Sequence, residues 1–235
     1  MNLATTGLSV VLRAFEVLRR EGFRAFFFIT LGKLGYRHMV LFEHVLDRVL
    51  YPPRAAVPFD TALLQRADVD AYVRIAPYKS VDEIHERLNE GQICAIGRVN
   101  GELACWAWYA QRWTRIVYLD LEVEIDDHWV YGYDFVVRPK FRRLGLAVDF
   151  TEKKKSLLTS LGIIGEVATV VPHNVAAMAF ERGAQRRRIG MIHSLRLWKW
   201  RYDWLRPTTK TGTLVLRIAK DLNNVSINTS SQHEY

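Results

Sequence analysis

The sequence contains little cysteine and no pattern typical of a metal site. Its two cysteines, Cys94 and Cys105, lie in apolar, alternating stretches and are not spaced as C-x-x-C, which argues against a redox pair or a cysteine zinc site. No H-E-x-x-H or comparable ligand set occurs, so we expect no metal. Both cysteines are predicted to be small buried residues in a reducing compartment.

Long apolar runs are also missing. The chain has no stretch of about 18 uncharged apolar residues, so a membrane-spanning helix is not expected. Residues 1–11 carry no Lys or Arg and do not resemble a secretory signal. We therefore expect a cytoplasmic protein, and the N-terminal segment leaves open a peripheral position at the inner face of the membrane.

The glycine patterns of the common nucleotide-binding loops are absent. The chain has neither G-x-x-x-x-G-K-[ST] nor the triple glycine of dinucleotide-binding folds. What is present is positive charge: the formal net charge is +8, which favours anionic partners without choosing among them. Its basic residues form no recognised nucleic-acid motif, so nucleic acid is not expected. With 235 residues, 49% of them hydrophobic, the chain can bury one good core.

The order of the predicted elements indicates a mixed α/β (α+β) protein. Residues 1–56 are predicted to form an amphipathic helical extension, 57–205 the main domain, and 206–235 a strand and a partly disordered tail. Asn100-Gly101 between two strand-like runs predicts a β-hairpin, and Ser80 is expected to cap a helix. The main-domain predictions are a helix over Val81–Asn89, strands over Ile93–Val99, Leu103–Tyr109, Ile116–Val123 and Val130–Val137, a helix over Val148–Leu161, a strand over Ile163–Val171, a helix over Val175–Arg182 and a strand over Ile189–Trp200.

A basic loop joins the strand that ends at Val137 to the next helix. Backbone N–H groups at the start of a helix have no internal partner, and the helix dipole is positive there, so such a loop suits an anion. Gly145 lets the backbone approach a phosphate closely. The surrounding positive charge is supplied by Arg138, Lys140, Arg142 and Arg143.

This loop resembles the pyrophosphate-binding motif of the GCN5-related N-acetyltransferase (GNAT) superfamily, V-x-P-x-[FY]-R-x-x-G-[LIV]-[AG]. A helix, a strand and Asn174 follow in the order that the family shows, and the resemblance covers roughly residues 60–200. It implies a twisted, mostly antiparallel sheet with a splayed central strand pair, flanked by helices. The matching loop residues are Val137, Pro139, Phe141, Arg142, Gly145, Leu146 and Ala147.

The resemblance also implies an enzyme that moves an acyl group from acetyl-CoA, or another acyl-CoA, to an amine acceptor in a direct ternary complex. Val136 and Val137 would offer backbone groups to the pantetheine arm, and Asn174 would contact the pantetheine or the thioester region. The pyrophosphate would lie on the N–H groups of Arg142, Arg143, Leu144, Gly145, Leu146 and Ala147.

Acyl transfer to an amine needs a neutral amine, a stabilised oxyanion and a proton for the leaving thiolate. The backbone N–H of Val136 or Val137 is the natural oxyanion donor. The carboxylates near that strand, Asp134 and Glu122, are the candidate bases, with Glu124 beside them.

The family's usual thiolate acid is a Tyr in the last helix, and this chain departs from that pattern because Phe180 or Glu181 stands near the slot. Tyr133, with Tyr131 or a water as alternatives, is the candidate replacement. His173 could reach the thioester region, but a turn histidine is the simpler interpretation.

The N-terminal segment leaves alternatives open. It could pack on the core or on a second subunit of a homodimer, or it could lay its aromatic face, Phe23 to Leu31, on a membrane surface. Lys153, Lys154 and Lys155 form a basic run that could receive the CoA 3′-phosphate or an acyl carrier protein, although a solvated helix face is simpler. A longer-chain acyltransferase acting on an envelope or lipid-linked acceptor, and a non-catalytic acyl-CoA-binding module, therefore remain alternatives to the acetyltransferase.

Overall fold

The computed structural model describes residues 35–46, 55–76, 79–184, 186–208 and 216–218, together with residues 23, 27 and 30–32. The helices and strands follow in chain order: β1 (Tyr36–Val45), β2 (Asp60–Leu63), α1 (Val69–Ile75), α2 (Val81–Asn89), β3 (Ile93–Val99), β4 (Glu102–Ala110), β5 (Trp113–Ile116), β6 (Leu121–Ile125), β7 (Trp129–Val137), α3 (Leu146–Thr159), β8 (Gly165–Val170), α4 (Val175–Gly183), β9 (Arg187–Leu197), β10 (Trp200–Pro207) and β11 (Leu216–Ile218).

An eight-stranded sheet organises the fold, in the order β10-β9-β1-β8-β7-β4-β3-β2. Its neighbours pair antiparallel except β7 and β8, which run parallel. A second sheet has the order β11-β6-β5. The predicted α+β class, with a mostly antiparallel sheet flanked by helices, is therefore confirmed.

The predicted hairpin is present as β3 and β4. Asn100 and Gly101 at its turn have φ values of 51° and 80°, the left-handed backbone that a tight hairpin turn requires. The capped helix is confirmed as α2, where the Ser80 hydroxyl accepts a hydrogen bond from the Glu83 N–H at 3.1 Å. Local turn and cap chemistry thus fixed these elements.

The prediction of helix over residues 36–45 is wrong, because they form β1 inside the sheet. β1 pairs with β8 on one side and β9 on the other. Met39 and Leu41 pack on one face of the sheet, whereas Val40 and Phe42 pack on the other. A strand that is covered on both faces has a near-continuous apolar run, which periodicity alone does not distinguish from a buried helix. Of the earlier residues, 23, 27 and 30–32 are helical and the others lie outside the described residues.

Several element boundaries also differ from the predictions. The strand expected over Ile116–Val123 is divided by a turn, with Asp120 at φ 51°, between β5 and β6. Helix α3 begins at Leu146 rather than Val148, and the strand expected over Ile189–Trp200 is a hairpin whose second strand, β10, continues to Pro207. The tail expected over residues 223–235 lies outside the described residues.

Side chains pack on both faces of the large sheet. On one face, α1 and α2 cover Trp106 and Trp108 of β4, and the small sheet covers β1, β8 and β9 beside them. Tyr133 of β7 contacts both of these clusters, so it lies where they meet. On the other face α3 packs through Phe150 and Leu158. Among the described residues, no helix has the length and hydropathy needed to cross a membrane.

Candidate functional site

The two parallel strands at the centre of the sheet separate along their length. β7 and β8 pair from Trp129 opposite Gly165 to Gly132 opposite Ala168, and β7 then runs on unpaired on that side to Val137. The cause is a bulge in β7. Tyr133 faces Trp108 and Val136 faces Trp106, so two residues of β7 oppose one residue of β4. The predicted splayed pair is thus present, with the opening at the end of β7 that leads to the basic loop.

The basic loop presents a row of unused backbone donors. Arg143 (φ 65°) and Gly145 (φ 75°) are left-handed, and Gly145 is the N-cap of α3. Within the described part of the chain, the N–H groups from Arg143 to Ala147 donate to no protein acceptor. Turned backbone of this kind at a helix N-terminus forms an anion-binding concavity. The sequence-predicted loop residues from Arg143 to Ala147 therefore form one row of free backbone donors.

The basic side chains around the loop differ in what they contact. Arg138 and Lys140 both bind Glu102, at 2.7 Å and 2.5 Å, and these hydrogen bonds lower the pKa of the Glu102 carboxyl. The Arg142 Nε donates to the Val137 carbonyl at 3.1 Å. Arg143 is exposed and has no polar partner among the residues that the structure describes. Arg143 is thus the most available cation of the loop.

The backbone N–H groups of Val136 and Val137 point to opposite sides of β7. The Arg138 N–H donates to the Ala104 carbonyl at 3.0 Å, and the pairing continues with Val137 opposite Cys105 and Val136 opposite Trp106. Antiparallel pairs alternate between bonded and non-bonded positions, so the N–H of Val136 turns toward β4 and that of Val137 toward the opening.

Asn174 lies at the start of α4, directly after β8. Its side-chain Oδ1 accepts a hydrogen bond from the Ala177 N–H at 3.1 Å, so the residue is the N-cap of this helix. This cap fixes the side chain and leaves the amide Nδ2, on an exposed residue, to act as a donor. Asn174 therefore lies directly after β8, as the sequence predicted, and its N-cap hydrogen bond fixes the side chain there.

Tyr133 and Asp134 lie together and share a contact with Arg87 of α2. Arg87 reaches the Asp134 carboxylate at 3.1 Å and the Tyr133 hydroxyl at 3.4 Å, and Lys79 lies 3.5 Å from the same carboxylate. Asp134 has φ 49°, so the bulge directs its side chain toward α2. Burial raises the pKa of the Tyr133 hydroxyl, and nearby Arg87 opposes that rise only in part.

A cleft of about 520 Å³ opens between the end of α2 and the small sheet. Glu122 of β6 lines it, together with Glu90 and Trp113. Gln92 also lines the cleft and accepts a hydrogen bond from the Tyr133 hydroxyl. Gln92 therefore lies between this cleft and Tyr133, whereas neither Tyr133 nor Asp134 lines the cleft.

Tyr131 lies where β7 and β8 separate. Its hydroxyl forms a 2.5 Å hydrogen bond with Thr169 of β8, just beyond the last paired residues. Burial raises the pKa of Tyr131 to about 12, and the bond to Thr169 opposes the rise. The rings of Tyr131 and Tyr133 stack at 6.2 Å, so both phenols lie on the face of the sheet that carries the cleft.

The last helix carries no phenol at the slot discussed above. The Phe180 ring packs against Phe135 at 5.3 Å, and Glu181 is buried against Arg186 at 3.3 Å. Burial raises the pKa of Glu181, and the charge of Arg186 opposes this effect. Phe135 also stacks on Phe150 of α3 at 5.9 Å, which sequence alternation did not predict because the bulge turns it to that face.

The lysine run does not form a basic surface. Lys154 is buried and binds Glu166 at 2.7 Å, and Lys155 binds Glu152 at 2.7 Å. Lys153 donates to the Phe59 carbonyl at 2.6 Å. The hypothesis that these three residues receive a phosphate or a carrier protein is therefore wrong for the run as a whole, because helix geometry directs neighbouring side chains to different sides.

Sequence reasoning missed Arg87, Lys79 and Gln92. These residues reach Tyr133 and Asp134 only because α2 packs against β7, and no local signal marks them. Among the described residues, no group of three or more His, Cys, Asp or Glu side chains could hold a metal ion.

Comparisons with known proteins show no family for this chain. No protein-family model matches the chain, and no curated protein matches it. Solved structures that it resembles include GNAT acetyltransferases. At 12–15% identity, the likeness to these structures is one of fold.

Three of these structures show how far the sequence identity and the coverage of each chain vary. A conserved protein of unknown function from Staphylococcus epidermidis has 12% identity and a TM-score of 0.45, with 75% of this chain and 65% of that chain covered. A GCN5-related N-acetyltransferase from Kribbella flavida has 14% identity and a TM-score of 0.46, with coverages of 77% and 63%. The aminoglycoside acetyltransferase AAC(6')-Iy, in complex with a bisubstrate analogue, has 14% identity and a TM-score of 0.44, with coverages of 56% and 92%. The chain thus spans less than two thirds of the first two proteins.

Proposed function

We propose that this protein binds acyl-CoA at the opening between β7 and β8 and transfers the acyl group to an amine. The observation that carries the proposal is the row of unused N–H groups from Arg143 to Ala147, at the N-terminus of α3 and at the mouth of the opening. These donors suit a pyrophosphate. The unpaired edge of β7 suits the amide groups of pantetheine, which would bind there as an added strand does.

The cleft suits an amine acceptor. Two of its lining residues are the carboxylates Glu90 and Glu122, which attract a protonated amine, and Trp113 offers an aromatic face to a cation. Arg112 and Arg115 also line the cleft, and Asp120 pairs with Arg115. Glu122 has no ion pair among the described residues, so it is the freer of the candidate bases. Acetyl is the simplest acyl group, and the amine is the acceptor class that we propose.

We infer the following reaction for these residues. Glu122 or Asp134, directly or through water, takes a proton from the ammonium, and the neutral amine attacks the thioester carbonyl. The Val137 N–H stabilises the oxyanion. The new C–N bond forms, the nitrogen releases its second proton to water, and the C–S bond breaks. The thiolate takes a proton from Tyr133 or Tyr131, and water then reprotonates that phenol. Both phenols are protonated at neutral pH because burial raises the pKa of each.

The donor site is tested by isothermal calorimetry with CoA and acetyl-CoA. Gly145→Glu places an anion and a side chain at the N-cap of α3, and we expect CoA affinity to fall on the order of a hundredfold. Gly162→Glu is the matched control: this residue also has a positive φ, lies at the other end of α3, and has open space at its Cβ position. If the wild-type protein binds neither ligand, or both variants bind as wild type does, the proposal fails.

A second function, an acyl-CoA-binding module without catalysis, is favoured by one observation. The last helix holds Phe180 packed on Phe135 and Glu181 in a buried ion pair, so neither resembles a free proton donor. Thiol release from acetyl-CoA and longer acyl-CoAs, measured with a panel of primary amines, separates the two functions. Turnover with any amine supports the enzyme, whereas CoA binding without turnover supports the module.

A further inference from the structure

The hairpin of β9 and β10 ends in an exposed aromatic tip. Trp198 at its turn is 96% exposed and Trp200 is 80% exposed. Leu197 beside them is also exposed. Among the described residues, no aromatic ring pairs with either Trp ring, and β10 is the edge strand of the large sheet. A cluster of large apolar side chains at a projecting tip indicates a contact surface.

Folding does not account for a tryptophan at this turn. Trp198 has φ 52°, a left-handed conformation in which a bulky side chain is unfavourable. Tight hairpin turns favour Asn or Gly at such a position. The side chain also gains almost no burial in return, since it is nearly fully exposed. Its large ring is therefore explained better by an external contact than by the stability of the chain.

The charges beside the tip are positive. Lys199 lies at the turn, whereas Arg206, on the face of β10 that carries Trp200 and Tyr202, is opposite Met191 and about 20 Å along the strand from the tip. Both cations are exposed and have no carboxylate partner among the described residues. The acidic residue of this hairpin, Asp203, lies on the opposite face and binds Arg201. The aromatic face is thus complementary to an anionic surface.

The N-terminal segment enters the sheet beside this tip. The Arg196 N–H donates to the Gly35 carbonyl at 2.9 Å, directly before β1 and next to the hairpin turn. In that segment, Phe23 and Phe27 are exposed at 72% and 47%, and their rings stack at 6.5 Å. Exposed aromatic side chains are therefore present both at the hairpin tip and among the residues described before β1.

We infer that the tip of the β9–β10 hairpin docks this protein on an anionic membrane surface. Trp198 and Trp200 insert into the headgroup region, where indole rings are favoured, and Lys199 between them contacts lipid phosphates. Leu197 inserts with them. An aliphatic side chain favours a membrane over a single-stranded nucleic acid as the partner, because it cannot stack on bases as an aromatic ring does. This inference does not depend on the acyl-transfer proposal.

The test uses the full-length chain with vesicles of phosphatidylcholine, with and without phosphatidylserine. The variant Trp198→Asn with Trp200→Thr keeps residues that suit a turn and a strand, so it is expected to fold as the wild type does. We expect wild type to co-sediment with the anionic vesicles and the double variant to bind at least about tenfold more weakly. Neutralising Lys199 should weaken binding to anionic vesicles roughly fivefold.

Trp113→Thr, which removes an exposed Trp from β5, is the matched control and should bind vesicles as the wild type does. Thermal unfolding of each variant verifies the fold. The inference is overturned if wild type does not bind anionic vesicles, or if the double variant binds them as strongly. It is also overturned if the same variant instead loses binding to a labelled single-stranded oligonucleotide, measured by anisotropy, while its vesicle binding is unchanged.

Discussion

A buried histidine makes the stability of this protein sensitive to mild acid. His44 lies on β1 opposite Glu166 of β8 and is 4% exposed. Among the described residues, neither ring nitrogen has a hydrogen-bond partner. Burial, together with the positive charge of Arg186, lowers the pKa of His44 to about 3. Glu166 favours the charged form, but Lys154 and Lys155 add to the effect of Arg186.

The lowered pKa predicts the direction and the window of the pH dependence. In the unfolded chain a histidine has its ordinary pKa near 6.5, so it is protonated below that pH. In the folded chain His44 stays neutral until the pH approaches 3. The free energy of unfolding therefore falls as the pH is lowered through this window. Between about pH 7.5 and pH 5, His44 alone should remove about 2 kcal/mol.

The substitution His44→Leu tests this reasoning. Leucine fills a similar volume and leaves no unsatisfied nitrogen, so we expect the variant to be at least as stable as wild type near neutral pH. Urea unfolding at the two pH values gives the loss of stability for each protein, and the loss should be about 2 kcal/mol smaller in the variant. Because each protein is compared with itself at the two pH values, a change in packing caused by the substitution cancels in the difference. Equal losses in the two proteins would show that His44 is not held neutral, and would refute the argument.

Three further predictions concern the buried ion pairs and the candidate site. Glu166→Gln leaves the buried Lys154 without its carboxylate partner, so the free energy of unfolding should fall by about 3–5 kcal/mol. Urea titrations measure this change, and a loss below about 1 kcal/mol would contradict a buried ion pair. Asp134→Asn should lower kcat/KM for the amine by roughly 10²–10⁴ while calorimetry shows unchanged CoA affinity, and an equal loss of CoA affinity would argue against a base. Arg143→Gln should weaken CoA binding about tenfold or more. Lys140→Gln should change CoA binding little, because Lys140 already binds Glu102. A larger loss of CoA affinity in Lys140→Gln than in Arg143→Gln would refute the assignment of Arg143 as the available cation.

Features set by neighbouring residues were predictable. Asn100-Gly101 predicted the hairpin, and Ser80 predicted the start of α2, because turn and cap geometry depends on a few adjacent residues. The basic loop was predictable for the same reason: a strand, a loop with Gly145 and a helix start are consecutive in the chain. The site residues Val137 to Ala147 therefore followed from the sequence as a set.

Features set by distant residues were not predictable. Tyr133 and Asp134 were singled out because of their strand, but the sequence does not indicate that Arg87 binds both. The bulge of β7 depends on its pairing with β4, and it determines that Phe135 faces α3 and α4 rather than the cleft. The burial of Lys154 likewise depends on Glu166, which reaches it from another strand.

The sequence by itself determined the local parts of this protein: the hairpin, the helix starts and the loop whose backbone suits an anion. Their causes are dihedral preferences and unpaired N–H groups within a few residues. Only the tertiary structure decided that residues 36–45 form a central strand, because an apolar run is compatible with either helix or strand until its neighbours in the sheet cover it. It also decided how β7 and β8 separate, with the basic loop after β7 and Asn174 after β8, and that Glu122 lines a cleft beside the small sheet.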